Sequence, residues 1–313
     1  MLQARLFISI LLLLCAMVPL PGCGGGAKEE VGSAARPLRV MLIPAYGGTQ
    51  EGTLSDFRPL FRAITDAQGI HFDIRIGSSY GAVVEAMANE QVDIAWFGVV
   101  SYTQAKERGA AELLAVPVDH GNAVYYSAIL HRADSGMKTL TDLRGKRMAF
   151  GDPSSSSGFN FPVAMMLDAG VNPATDLGTV IMAGNHASSI AALVNGEVDA
   201  ACTPMLNYDR AVEQKIIDPK VIVPLKLSDG IPNPPLAMHP KLPAALKQKL
   251  REAFNTLHQQ PNINPQMIKG EGGKVYERYD GFFSEQPFID AMKRLNLVTD
   301  GLRQQMLVKA QQR

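Results

Sequence analysis

The chain contains little cysteine, no excess charge of either sign, and none of the short motifs that mark common enzyme sites. Only three of its 313 residues are cysteines, at Cys15, Cys23 and Cys202. The first two fall in an N-terminal leader, so Cys202 stands alone and can form neither an internal disulfide nor a cysteine zinc site. It lies in an apolar run, and we interpret it as a small buried hydrophobe.

The balance of charge excludes a broad basic surface. Lys+Arg and Asp+Glu each number 30, which argues against nucleic acid as the main partner. Apolar residues make up 46% of the chain and charged residues 19%, as in globular proteins. The length suits one large or two medium domains.

The missing motifs argue against catalysis. The sequence has no Gly-x-Ser-x-Gly, Walker loop, dinucleotide fingerprint or His-Glu-x-x-His. Ser157, His186 and Asp199 supply the residue types of a hydrolase triad, but Asp199 lies in a predicted strand and is expected to point elsewhere. We expect a protein without catalytic residues, metal or cofactor, and a hydrolase remains the rival hypothesis.

The N-terminus has the pattern of an export signal. One basic residue, Arg5, precedes an apolar run over 6–20 that is too short for a comfortable membrane-spanning helix. The sequence Leu20-Pro-Gly-Cys23 resembles a bacterial lipobox, which implies a signal peptide over 1–22 and a lipid on Cys23 that holds the protein to a membrane. Proline is uncommon at position 21 of such a motif, so a plain signal peptide and an uncleaved anchor stay open.

Small, polar and charged residues over 23–37 predict a flexible tether between this lipid and a folded domain. Beyond it, predicted strands over 38–43, 72–76 and 92–97 alternate with helical spacing over 57–67 and from Tyr80 onward. This alternation is typical of an α/β sheet flanked by helices. From about Lys241 the pattern is mostly helical.

An internal similarity relates two parts of the chain. Residues 80–95 align without a gap on residues 186–201, and both stretches predict a helix, a polar turn and a buried strand. Any αβ unit could produce such a match by chance. If the repeat is real, the chain has two similarly built lobes, with Tyr80 and His186 at equivalent helix N-termini facing one cleft. The identical pairs are Ala86/Ala192, Asn89/Asn195, Val92/Val198, Asp93/Asp199 and Ala95/Ala201.

Four consecutive serines follow a predicted strand that ends at Phe150. Ser154 to Ser157 and Gly158 precede a helical pattern, so the stretch predicts a strand, a tight turn and a helix N-terminus. Serine hydroxyls and free backbone N–H groups there can hold a small tetrahedral oxyanion without Lys or Arg. A serine-rich helix cap with no ligand is the plain alternative. Because an interior proline is costly, Pro162 implies that the helix begins late or is kinked.

Three further side chains could donate hydrogen bonds to the same anion. His186 opens a predicted helix, and Tyr80 and Tyr125 carry phenolic hydroxyls. Each of the three, taken alone, also fits a structural role. Together with the serines they form a set rich in donors, which would select an oxyanion.

These motifs resemble those of the periplasmic phosphonate- and phosphite-binding proteins of ABC importers, a branch of the type II periplasmic binding proteins. The resemblance covers the chain from about Leu38 onward and implies a two-lobed α/β fold that closes by a hinge on its ligand. The motifs that carry it are Ser79-Tyr80-Gly-Ala-Val, Val92-Asp-Ile-Ala-Trp-Phe-Gly98, Tyr125-Tyr-Ser127, Asp152-Pro-Ser-Ser-Ser-Ser-Gly158, Gly184-Asn-His186 and Ile231-Pro-Asn-Pro-Pro235.

The resemblance also implies how the parts are used. We expect one lobe over 38–130 plus 230–313 and a second over 131–229, with chain crossings near His131 and Gly230. The implied partners are a small oxyanion and an ABC permease, or alternatively a membrane sensor kinase for phosphate or arsenic species. We expect a monomer. The implied ligand contacts are Tyr80, Tyr125, Ser155, Ser156, Ser157 and His186.

Two departures from the family bear on the ligand. Family members that take aminoalkyl phosphonates hold the ammonium with two carboxylates, and this chain has Leu206 and Pro234 at those positions. An ammonium there would be desolvated without a partner. We therefore expect an amine-free ligand: phosphite, methylphosphonate or phosphate.

Overall fold

The computed structural model describes residues 30–45 and 50–312, which form two lobes built on separate β-sheets. The expected signal peptide, Cys23 and residues 24–29 of the expected tether lie outside these residues. Within these ranges, no helix combines the length and apolar character needed to cross a bilayer.

The first lobe holds a six-stranded sheet. The strand predicted over 38–43 is present, and its Leu38, Val40 and Leu42 are buried in the core. In spatial order the strands are β13 (Arg278–Asp280), β4 (Glu112–Val118), β12 (Leu236–Met238), β3 (Ile94–Trp96), β1 (Leu38–Leu42) and β2 (Phe72–Ile76). The helices around this lobe are α1 (Gln50–Gln68), α2 (Tyr80–Ala88), α3 (Val99–Glu107), α7 (Ala244–Thr256) and α8 (Gln286–Lys293).

The second lobe holds a five-stranded sheet, and a two-stranded ribbon lies where the chain passes between the lobes. The strands of the sheet are β10 (Ile222–Leu227), β6 (Ser127–Arg132), β9 (Ala200–Pro204), β7 (Arg147–Phe150) and β8 (Thr179–Met182). Its helices are α4 (Phe161–Asp168), α5 (His186–Val194), α6 (Met205–Glu213) and the C-terminal α9 (Asp300–Gln311). The ribbon pairs β5 (Val124–Tyr125) with β11 (Ile231–Pro232).

The internal similarity is confirmed by matching geometry in the two lobes. Strands β2-β1-β3 and β8-β7-β9 are parallel triplets in the same order. In the first, the backbone N–H and guanidinium of Arg39 donate to the Asp93 carboxylate, and in the second Arg147 and Asp199 make the same bonds. The Asp199 side chain therefore stabilises the second sheet, as expected from the sequence.

The first crossing between lobes differs from the expected position near His131. Strand β6 pairs along its length with β9 and β10 of the second sheet, so residues 127–130 belong to that sheet and not to the first lobe. The expected boundary falls inside this strand because a buried apolar run does not show which sheet it will join. The ribbon strand β5 lies immediately before it, at Val124–Tyr125.

The C-terminal helix also differs from its expected placement with the first lobe. Helix α9 packs against β8 of the second sheet. Its Lys309 Nζ donates to the backbone carbonyls of Ala174 and Leu177 in that lobe. Leu302 and Met306 bury the apolar stripe of the helix. The chain thus returns to the second lobe after β13 and α8.

Candidate ligand-binding site

The serine loop leaves the carboxyl end of β7 and is closed on itself by backbone bonds. Gly151 N donates to Gly158 O at 2.8 Å, and Ser155 Oγ accepts from Gly158 N at 3.0 Å as the predicted cap. A wide turn of π type follows over Ser156–Asn160, and α4 begins after it. Pro162 lies in the first turn of α4, where its missing N–H breaks no helical bond. The helix therefore begins late, which was one of the two alternatives.

The side chain of Asn160 stabilises this loop by hydrogen bonds. Its side-chain Nδ2 donates to Pro153 O and Ser155 O at 2.9 and 2.8 Å. Its Oδ1 accepts two bonds of 3.2 Å from the Arg303 guanidinium on α9. Because Asn160 is fully buried, these bonds fix the first half of the serine run and join it to the C-terminal helix.

Two of the serine hydroxyls accept backbone N–H groups. All three of Ser155, Ser156 and Ser157 are buried. Ser156 Oγ accepts from Val100 N of the first lobe at 3.1 Å, and Ser155 Oγ accepts from within the loop. An oxygen that accepts a backbone N–H can still donate its own proton. The Ser157 carbonyl is held by Ser127 Oγ at 2.6 Å.

Tyr80 and His186 open equivalent helices and meet across the cleft. The preceding caps, Ser79 and Asn185, share an extended conformation with φ of −155° and accept a backbone N–H three residues onward. Tyr80 Oη lies 3.5 Å from His186 Nε2, and both side chains are buried. The two helix N-termini predicted from the internal similarity thus face each other.

His186 is a neutral donor in this environment. Burial lowers its pKa from the ordinary 6.5 to about 3, so the imidazole is uncharged at neutral pH. A neutral ring carries one N–H and one acceptor nitrogen. His186 Nδ1 is buried, close to Gly158, and makes no hydrogen bond within the described chain.

Tyr125 completes the group from the ribbon between the lobes. Burial raises its pKa, the Glu271 charge raises it further, and hydrogen bonds with Ser157 and Ser156 oppose the shift. Burial also raises the pKa of Tyr80, and a hydrogen bond with Ser155 opposes it. Both hydroxyls are therefore protonated donors. The structure brings together all six side chains singled out from the sequence.

Direct bonds between the lobes show that the cleft is closed around these groups. Tyr80 N donates to Asp152 Oδ2 at 3.3 Å, and His186 N donates to Ala45 O at 3.2 Å. An ion pair of 3.0 Å joins Asp56 on α1 to Arg210 on α6. Each bond connects one lobe to the other.

Neither Leu206 nor Pro234 can offer a charge to a ligand. Leu206 is half-buried in the first turn of α6, and Pro234 is buried between β11 and β12. Thr203 Oγ1 and Asn207 Oδ1, close to Leu206 in sequence, are buried and make no hydrogen bond in the described residues. The apolar pair is consistent with the expected amine-free ligand.

Other sequence candidates serve the fold. Cys202 is fully buried in β9 and burial raises its thiol pKa, so it is the small hydrophobe expected. A cavity of about 610 Å³ lies by the first sheet, but its charges pair with each other, as in Arg39–Asp93 and Lys241–Glu90. Across residues 30–45 and 50–312, no three His, Cys, Asp or Glu side chains could share a metal ion.

Sequence reasoning missed several residues that shape the site. Asp152 and Asn160 lie inside or beside the serine motif, and their capping residue types could have indicated their roles. No local sequence pattern indicates the ion pair of Asp56 with Arg210 or the contact of Arg303 with Asn160. In each case the two residues are more than 140 positions apart in sequence.

Comparison with known proteins gives one consistent family. The model for the periplasmic substrate-binding protein of ABC phosphonate transporters matches residues 45–282. The phosphate-import protein PhnD of Mycolicibacterium smegmatis is 30% identical over 256 residues, covering 77% of this chain and 78% of the relative. The phosphonates-binding periplasmic protein of Escherichia coli is 27% identical over 239 residues, covering 69% of this chain and 70% of the relative.

Solved structures share the fold. A binding protein component of an ABC phosphonate transporter from Pseudomonas aeruginosa superposes with a TM-score of 0.68 at 19% identity, covering 87% of this chain and 98% of that one. PhnD1 from Prochlorococcus marinus, solved with methylphosphonate, gives 0.70 at 15% identity and covers 83% and 97%. The chain belongs to the family of periplasmic substrate-binding proteins of ABC phosphonate transporters, whose members bind ligands and are not enzymes.

Proposed function

We propose that this protein captures a small, amine-free phosphorus oxyanion between its lobes, by hinge closure, and delivers it to an inner-membrane permease. The candidate ligands are phosphite, methylphosphonate and phosphate. The observation that supports this most is the set of neutral donors from both lobes, in which Ser155 to Ser157, His186 and Tyr80 are buried and Tyr125 is half-buried. Such donors stabilise a tetrahedral anion in a desolvated cleft without a cationic side chain.

The relatives support the same ligand class. The Mycolicibacterium smegmatis relative is named for phosphate import, and the Prochlorococcus marinus structure holds methylphosphonate. The uncharged Leu206 and Pro234 favour ligands without an ammonium group. Hinge closure would turn about the ribbon of β5 and β11, which lies where the chain passes between the lobes.

Isothermal titration of the mature chain from residue 24 tests the ligand. The panel is phosphite, methylphosphonate, phosphate, 2-aminoethylphosphonate and arsenite. We expect tight binding of an amine-free phosphorus oxyanion and much weaker binding of the aminophosphonate. Preference for the aminophosphonate would contradict the argument from Leu206 and Pro234. Binding of arsenite alone would favour an oxyanion receptor that signals to a sensor kinase.

Paired variants test the site. Ser156→Ala with His186→Ala should abolish anion binding while the thermal unfolding transition stays cooperative. Ser154→Ala with His258→Ala is the matched control, because Ser154 lies in the same loop outside the buried set and His258 is exposed. Retained affinity in the first pair would overturn the site assignment.

We also propose that a lipid on Cys23 holds the protein at the outer face of the cytoplasmic membrane. Cys23→Ser should move the protein from the membrane fraction to the soluble periplasmic fraction. An unchanged membrane fraction would contradict the lipid anchor and leave the ligand proposal intact.

A further inference from the structure

Three buried polar side-chain atoms of the second lobe make no hydrogen bond. In the part of the chain that the structure covers, the buried atoms without a partner are His186 Nδ1, Thr203 Oγ1 and Asn207 Oδ1. All three residues are at most 5% exposed. Because leaving such an atom unpaired costs free energy, these atoms mark a place where a ligand can bind. His186 already belongs to the candidate site, whereas Thr203 and Asn207 are not among its six side chains.

Thr203 lies near the carboxyl end of β9, on the face of the sheet that α5 and α6 cover. Its partner across the ladder is Ala128, which belongs to one core cluster with Leu193 of α5 and Tyr208 of α6. Directly opposed residues share a face of the sheet, so Thr203 lies on this face too. The carboxyl ends of the parallel strands β8 and β9 lie at one edge, so His186, which begins α5 after β8, is at the same edge as Thr203.

Asn207 lies on the side of α6 that faces the first lobe. It is in the first turn of this nine-residue helix, whose N-terminus has no side-chain cap. Residues three apart on a helix share a face. Arg210, three residues after Asn207, forms its 3.0 Å ion pair with Asp56 of the first lobe. The buried amide oxygen of Asn207 is therefore on the face of α6 that is directed across the cleft.

Hydrogen bonds join the junction of β9 and α6 to the candidate site. Pro204, the last residue of β9, is opposite Ser127, whose Oγ donates to Ser157 O of the serine loop at 2.6 Å. Met205 N, at the start of α6, donates at 2.9 Å to the carbonyl of Tyr126, which follows the site tyrosine of the ribbon. The two unpartnered side chains flank this junction, so they are neighbours of the serine loop and of the ribbon.

The pair adds hydrogen-bond acceptors to a site made of donors. Asn207 Oδ1 can only accept, and the Thr203 hydroxyl can both donate and accept. The candidate ligands phosphate, methylphosphonate and phosphite have three oxygens in common and differ in the fourth substituent on phosphorus, which is an oxygen, a methyl group or a hydrogen. Near neutral pH, phosphate retains a P–OH group that can donate to Asn207 and bond with Thr203. A methyl group or a hydrogen in that place leaves both buried side chains unpaired.

We propose that Thr203 and Asn207 form a subsite for a hydroxyl on phosphorus, so that the protein takes phosphate in preference to methylphosphonate and phosphite. A site built to bond a ligand hydroxyl rejects the analogue that lacks it, because the polar groups of the site are then buried without partners. The proposal rests on the proposed function, since it names the ligand within the class that the same site binds.

Isothermal titration of the mature protein with phosphate and methylphosphonate tests the subsite. We expect the wild type to bind phosphate about tenfold or more tightly than methylphosphonate. Thr203→Val with Asn207→Leu replaces both polar groups by apolar side chains of similar size. This variant should bind phosphate about tenfold or more weakly and methylphosphonate equally or more tightly, so the preference is lost or reversed. Thr141→Val with Asn296→Leu, at exposed positions, is the matched control and should keep it.

Single changes at Thr203 carry the same test if the double variant does not unfold cooperatively. Thr203→Ser keeps the hydroxyl and should retain the preference for phosphate. Thr203→Val has nearly the same shape without the hydroxyl and should reduce the preference by roughly threefold to tenfold. Equal ligand preferences in the two variants would exclude the Thr203 hydroxyl from the subsite.

The contrary results for the wild type and the double variant differ from one another. A wild type that binds methylphosphonate or phosphite as tightly as phosphate would overturn the subsite and leave the proposed function in place. Equal losses for phosphate and methylphosphonate in Thr203→Val with Asn207→Leu would show a structural role alone. A wild type that binds no phosphorus oxyanion would remove the proposed function together with the subsite.

Discussion

Tyr80 Oη and His186 Nε2 lie 3.5 Å apart, although 106 positions separate the two residues and each begins a helix of a different lobe. Their helices start with caps of the same geometry, and their lobes repeat the same parallel strand triplet. The contact therefore joins two equivalent points of an internally repeated fold. It brings a phenolic hydroxyl and an imidazole from different lobes together.

Tyr80→Phe tests the contribution of one of these donors. The change removes only the hydroxyl and keeps the buried ring, so the fold should be preserved. Loss of one hydrogen bond to the anion should raise Kd by roughly threefold to tenfold. Titration with the best ligand of the panel measures it, and Tyr126→Phe on the exposed neighbour of Tyr125 is the control. Equal Kd values for Tyr80→Phe and the wild type would exclude Tyr80 from the ligand contacts.

The lowered pKa of His186 predicts that the folded protein loses stability in acid. Its pKa is about 3 in the folded chain and about 6.5 when exposed, so the unfolded state binds more protons between these values and stability falls as the pH drops through that window. At pH 5 the loss should be about 2 kcal/mol relative to neutral pH.

Chemical denaturation at pH 7 and pH 5 measures this difference. The free energy of unfolding of His186→Gln should fall less than that of the wild type over the same range. His258→Gln, at an exposed position, should behave as the wild type. The same acid sensitivity in wild type and His186→Gln would contradict the assignment.

The bonds of Arg303 to Asn160 predict a remote effect on affinity. Arg303→Met keeps most of the apolar stem but removes both bonds to Asn160 Oδ1, so the serine loop should lose rigidity. We expect Kd to rise roughly threefold to tenfold, with faster hydrogen exchange at Gly158 N. Arg62→Met, an exposed arginine on α1, is the control. Unchanged hydrogen exchange at Gly158 N would show that the serine loop stays rigid without the bonds from Arg303.

The ion pair of Asp56 with Arg210 predicts how firmly the lobes stay closed. Burial raises the pKa of Asp56 and the Arg210 charge opposes that shift, so the carboxylate depends on its partner across the cleft. Asp56→Asn should weaken closure and raise Kd by roughly tenfold. Small-angle scattering of the ligand-free protein should then show a larger radius of gyration, whereas Asp66→Asn in an exposed pair should not. An unchanged radius would mean that other contacts hold the lobes together.

Much of this fold follows from local patterns that act over a few residues. Apolar residues at every second position of Leu38–Leu42 and Phe72–Ile76 identify strands, and the caps Ser79, Ser155 and Asn185 identify helix starts. Polar donors near those starts were recognisable as a candidate site because their residue types match the needs of an oxyanion. The position at which the chain first crosses between the lobes could not be predicted, because the residues of β6 do not show which sheet the strand will join.

The sequence by itself determined the α/β class, the internal repeat and the serine loop, because strand periodicity, helix caps and buried runs depend on near neighbours in the chain. Only the tertiary structure decided that α9 returns to the second lobe and that Arg303 reaches Asn160. Those relationships join residues far apart in sequence. They arise from how the two sheets pack and close, and no local pattern encodes that arrangement.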